Sequence, residues 1–128
     1  MPDGELRRIF RVNLQRFDWV SIETPGTGRG VPDCNYCCEG KEGWVEMKKV
    51  KGWKVDVRPE QIGWAERRLR HGGKVFCAVR KKDALWLFSG WDLRHLTSRR
   101  VTEAVPLGYW DGGQSCWGWG EIAAILTR

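Results

Sequence analysis

Three residues in this sequence have the right types to act on a phosphate ester: Asp33, Glu46 and Lys48. Carboxylates are hard oxygen ligands that suit Mg²⁺ or Mn²⁺. A divalent ion held there acidifies water and offsets charge that builds on a reacting phosphoryl group. A neighbouring lysine orients or deprotonates that water and contacts the phosphate. Two acids and a lysine are therefore a minimal kit for hydrolysing a phosphodiester. Glu46 and Lys48 are two residues apart, so on a strand they project from one face, while Val45 and Met47 turn to the other. Val45, Met47 and Val50 mark a buried central strand. A polar trio on such a strand is costly unless it is paired or binds a metal. The plain alternative is a solvated surface strand with an ion pair.

The elements that must position the trio can be read around it. Leu6, Phe10, Asn13 and Phe17, widened by Ile9 and Leu14, predict a helix over 4–17, with Arg7, Arg8, Arg11 and Gln15 as its basic face. Period-two alternation predicts a strand over 18–23. A loop rich in Gly and Pro follows at 24–30. Strands are expected near 33–38 and 44–50, with Gly40-Lys41-Glu42-Gly43 as the hairpin turn. Pro59 suits a first helical turn, and the helix runs to about Arg70 before Gly72-Gly73. Strands follow at 74–80 and 84–88, then a short helix near 91–97. The Gly- and Trp-rich stretch 105–119 has no assignable pattern, and a closing helix is expected over 121–127. The order helix, three strands, helix, two strands predicts an α/β fold, a central mixed β-sheet flanked by helices. One domain of 1–128 is expected, with a core of about 4–90 and a C-terminal extension of about 91–128.

Gly30-Val31-Pro32-Asp33, then twelve residues, then Glu46-Met47-Lys48, resembles the signature of the PD-(D/E)xK nuclease superfamily. Pro59-Glu60-Gln61-Ile62-Gly63-Trp64 resembles the segment after that signature in virus-type replication-repair nucleases (VRR-Nuc) and archaeal-type Holliday junction resolvases. The resemblance covers about 5–80. It implies a restriction-endonuclease-like core and a Mg²⁺- or Mn²⁺-dependent DNA endonuclease, with branched DNA as substrate and a homodimer as the working form. It also implies metal ligation by Asp33, Glu46, the backbone carbonyl of Met47 and an acid of the first helix, for which Glu5 is the one available. It further implies that Gln61 lies at the edge of the site. Gln61, Trp64 and Arg68 share a helical face that points either along nucleic acid or into solvent.

Composition is consistent with this and excludes other classes. The net charge of +6 favours polyanionic partners such as nucleic acid. Arg29, Lys49, Lys51, Arg58 and Arg68 are the candidate phosphate contacts, Lys49 and Lys51 foremost because they directly follow the Glu-x-Lys strand. No apolar run approaches membrane-helix length, and the first residues do not resemble a signal peptide. An intracellular, cytoplasmic protein with reduced thiols is expected from that and from five cysteines, an odd number. Cys34, Cys37 and Cys38 invite a zinc reading, but a strand turns Cys34 and Cys37 to opposite faces, so buried apolar thiols are the simpler account. Among nine tryptophans, Trp19, Trp44 and Trp86 read as core. Trp53, Trp110, Trp117 and Trp119 read as capping an irregular core, or else as a base-stacking or subunit surface. A non-catalytic nucleic-acid-binding module competes with the nuclease reading, but bare carboxylates would repel a phosphate. A generic flap or end nuclease within a repair complex is the other alternative.

Overall fold

A computed structural model of the chain describes residues 4–22 and 30–128. Among them six strands form one sheet in simple chain order: β1 (Asp18–Ser21), β2 (Cys34–Cys38), β3 (Lys41–Lys49), β4 (Val75–Lys81), β5 (Ala84–Ser89) and β6 (Gly108–Trp110). Every neighbouring pair is antiparallel except β3 and β4, which are parallel. A parallel pair needs a crossover. Helix α2 (Pro59–Arg70) supplies it and so lies across the sheet's centre. Helix α1 (Gly4–Asn13), the short α3 (Leu93–Leu96) and α4 (Trp119–Leu126) complete the layers.

Both faces of the sheet are buried. On one, Leu6, Ile9 and Phe10 of α1 and Ile122, Ile125 and Leu126 of α4 cover Val45, Met47, Ala78, Leu85 and Leu87. On the other, Ile62, Trp64 and Ala65 of α2 and Leu93 and Leu96 of α3 cover Cys77, Val79, Trp86 and Phe88. The predicted buried central strand is therefore present, covered on both sides.

Local departures from expectation have identifiable causes. Helix α1 stops at Asn13, four residues early. The Asn13 amide donates to the carbonyl of Ile9 at 2.8 Å, a side-chain bond that competes with helix continuation. The β2–β3 turn is Glu39-Gly40, both with positive φ (51° and 80°), which matches the twist of a two-residue hairpin. The predicted turn residues Lys41 to Gly43 instead begin β3. Gly43 is required there because a Cβ would lie 2.4 Å from the Tyr36 hydroxyl, which itself donates to the Leu126 carbonyl at 2.6 Å. The unassigned stretch supplies edge strand β6 and a 3₁₀ turn, Gln114–Cys116. Trp117 is buried, and its indole donates to the Asp83 carbonyl at 2.8 Å. Trp119 packs edge-on against Phe10, and Trp110 donates to Glu121. These tryptophans are thus engaged within the fold, the core-capping alternative. All five cysteines are free thiols. Burial, reinforced by the charge of Asp33, pushes the Cys34 thiol up to about 12. That keeps the free thiol protonated, like a small buried apolar group.

Candidate active site

Glu46 and Lys48 sit on the α2 face of β3, 2% and 3% exposed. What reaches them from above is Gln61, 5% exposed, in the first turn of α2. Its amide nitrogen donates to Glu46 Oε2 at 2.9 Å, and its Oε1 accepts from Lys48 Nζ at 3.1 Å. The same oxygen accepts the backbone N–H of Arg58 at 3.0 Å, which ties the relay to the helix start. Pro59 sits just after Arg58 and needs no amide partner. Gln61 therefore bridges the Glu46 carboxyl and the Lys48 ammonium. Trp64 is buried beside it, so the Gln61–Trp64 face of α2 points into the sheet, neither along a ligand nor into solvent.

Asp33 precedes β2 and is half-buried. Its Oδ2 accepts the backbone N–H of Met47 at 2.8 Å. Its carboxyl also lies close enough to that of Glu46 to raise the Glu46 pKa. Trp44 and Val50 donate to carbonyls on the β4 side, so even-numbered residues of β3 bond β4 and odd-numbered ones face β2. The carbonyl of Met47 consequently points to the same side as its N–H, toward Asp33. Gly30 locks this corner together. Its φ is +82°, and a Cβ there would lie 2.0 Å from the Glu60 carbonyl oxygen and 2.9 Å from the Gln61 nitrogen. The segment before Asp33 thus lies directly on the start of α2, where only glycine fits.

Electrostatics sharpen the picture. Burial pushes the Glu46 carboxyl well above the ordinary carboxylate range, and the neighbouring Asp33 carboxyl pushes the same way. Lys48 and Arg58 pull it down, but less. A buried carboxyl that holds its proton beside a second carboxylate is a place where a divalent cation can replace that proton. Asp33 and Glu46, with the Met47 carbonyl beside them, are a hard-oxygen donor set that fits Mg²⁺ or Mn²⁺.

Other predicted residues are placed as follows. Glu5 is half-exposed, and its carboxylate accepts from Arg80 at 3.2 Å. Arg80 is in register with Lys49 and so lies on the sheet face opposite Glu46 and Lys48. Glu5 is not gathered with Asp33 and Glu46, and no cluster of three or more His, Cys, Asp or Glu occurs among the described residues. Lys49 and Lys51 are exposed, Lys49 on the α1 face. Arg58 is exposed at the start of α2, close enough to Glu46 to act on its charge. Arg68 stacks 4.8 Å above Trp64 and 5.7 Å above Trp44, two turns along α2 from Gln61. Arg29 lies outside the described residues.

The fold has a counterpart among solved structures. The chain resembles Hjc, a Holliday junction resolvase from Archaeoglobus fulgidus. The TM-score is 0.56 at 15% identity, over 69% of this chain and 77% of that one. The fold is that of the restriction-endonuclease-like resolvase, with its mixed sheet and flanking helices. No family model matches the sequence, and no curated protein matches it. Among the described residues no helix is long and apolar enough to cross a membrane.

Proposed function

We propose that the chain is a metal-dependent endonuclease that hydrolyses phosphodiester bonds in branched DNA. The observation that carries this reading is the joining of Asp33, Glu46 and Lys48 into one hydrogen-bonded unit through Gln61 and the Met47 amide. The resolvase-like fold supports it. Asp33, Glu46 and the Met47 carbonyl would hold Mg²⁺ or Mn²⁺, which supplies an acidified water and offsets charge on the phosphate.

The protein's own groups do the positioning. Gln61 holds Lys48 at a set distance from Glu46, so the ammonium is aimed rather than collapsed onto the acid. Lys48 presents its charge and protons to the attacked phosphate and to the attacking water. Lys49, Lys51, Arg58 and Arg68 supply exposed positive charge for the DNA backbone. A four-way junction is close to two-fold symmetric, and cutting two opposed strands takes two sites. A homodimer supplies both from one chain through a closed interface.

The test is cleavage of labelled linear, flapped and four-way DNAs with Mg²⁺, Mn²⁺ or EDTA. Cutting that needs the metal and favours the junction supports the reading; full cutting in EDTA refutes it. Light scattering of an Asp33→Asn variant, alone and with a junction, reads the oligomer. A monomer in both cases, with no preference over linear duplex, leaves a generic nuclease.

A further inference from the structure

One cavity plays no part in the site above. It holds about 620 Å³, within the roughly 300–1,000 Å³ typical of small-ligand sites. Trp53, Trp86 and Tyr109 line it, with Lys81 at the end of β4 and Lys82 in the β4–β5 turn. The sheet register places it. Lys48 is opposite Val79, Val79 opposite Trp86, and Trp86 opposite Tyr109. Registered residues share a face, so one row runs from Lys48 to Tyr109 across four strands. At about 4.8 Å per strand the row spans about 14 Å. Val79 and Trp86 within the row are buried beneath α2 and α3, so it gives only the separation of the cavity from Lys48, at least about four base steps of roughly 3.4 Å each.

The chemistry of the cavity is selective. The Trp86 and Tyr109 rings are 4.9 Å apart, and Lys81 and Arg100 sit over the Trp53 ring, 4.7 and 5.3 Å from its centroid, so Tyr109 is the open ring and Trp53 holds the cations in place. Aromatic platforms with cations beside them are how proteins hold unpaired bases and their backbone. Trp53 is 40% and Tyr109 49% exposed, far more than a purely packing role needs. Asp83 and Asp111 also line the cavity. They repel a phosphate, which directs the base inward and the backbone toward the lysines.

We propose that this cavity receives one unpaired base of the DNA strand engaged at Lys48. The choice of ligand rests on the nuclease reading above, but the cavity, the row and the ring contacts are separate observations. The test uses the Asp33→Asn protein in EDTA, so that no DNA is cut. Its affinity is measured by fluorescence anisotropy for three labelled duplexes: blunt, with a short single-stranded arm, and with that arm made abasic. The arm should bind more tightly than the blunt duplex, and the abasic arm should lose the gain. Tyr109→Ala and Trp53→Ala, each checked for an unchanged melting profile, should weaken arm binding about tenfold and leave blunt binding unchanged. Equal binding of the normal and abasic arms overturns the proposal. So do variants that bind all three duplexes as the parent does, or that weaken blunt and arm binding equally. If Mg²⁺-dependent cutting persists under any of those outcomes, only the base site falls. Base-dependent binding by a protein that never cuts leaves the base site standing and removes the nuclease reading.

Discussion

The two faces of the central sheet are buried about equally, but with different atoms. Toward α1 and α4, strand β3 presents the side chains of Val45 and Met47, both 0% exposed, within an apolar cluster. Toward α2 it presents Glu46 and Lys48, which are met by the amide of Gln61. Alternation along a single strand therefore separates packing from chemistry. The α1 face gains stability from hydrocarbon burial. The α2 face carries groups whose burial is costly and whose mutual satisfaction is incomplete as a source of stability. That difference can be tested by substitution on either side of β3.

The largest expected effect is on catalysis from the α2 face. Asp33→Asn, Glu46→Gln and Lys48→Ala should each lower cleavage by roughly 10²-fold or more. Melting temperatures should stay near the parent's, because Val45 and Met47 supply the strand's packing. The double change Glu46→Leu with Lys48→Met should be inactive yet melt no lower than the parent. A steep loss of stability in that double variant would show that the polar unit holds the fold together. The opposite pattern is expected one residue away. Met47→Ala should cost roughly 2–5 kcal/mol in chemical denaturation. A Met47→Ala protein as stable as the parent would deny the contrast between the faces.

A smaller effect concerns pH. Glu46 in the folded, metal-free protein binds its proton more tightly than in the unfolded chain, because of burial and Asp33. The folded state therefore holds more protons once pH exceeds the unfolded carboxylate value, and stability falls as pH rises from there. The metal-free protein should melt lower at pH 8 than at pH 5, by about 4 °C or more. Glu46→Gln should flatten the slope, and Mg²⁺ should offset it. A slope unchanged by Glu46→Gln would place the proton elsewhere. The smallest effect is expected at Glu5, which is engaged with Arg80 across the sheet from Glu46. Glu5→Gln should slow cleavage less than about threefold, since a half-exposed ion pair contributes little. A loss as deep as that of Asp33→Asn would return Glu5 to the metal.

Much of the fold was legible because it is local. Apolar spacing in Leu6, Ile9 and Phe10 marks α1, alternation marks β3, and Pro59 with Gly72 brackets α2. Edge strand β6 was not legible. Its three residues make sense only once β5 offers Leu85, Trp86 and Leu87 as partners. Nor could the ends of α1 and the β2–β3 turn be placed from pattern alone, since each was decided by one side-chain bond or one pair of dihedrals.

At the candidate site the division is similar. The types and spacing of Asp33, Glu46 and Lys48 are properties of the sequence, and so is the shared face of the last two, because a strand's period of two admits no other outcome. The tertiary structure alone decided how they are joined. A glutamine in a first helical turn looks the same whether it meets water or a sheet. Gln61 became the bridge only when the β3–β4 crossover laid α2 over Glu46 and Lys48, with Gly30 allowing the chain before Asp33 to touch the helix start. Glu5 found Arg80 for the same reason. Its helix packs on the opposite face, and which face a helix covers depends on the long-range packing of the chain, which local periodicity does not encode.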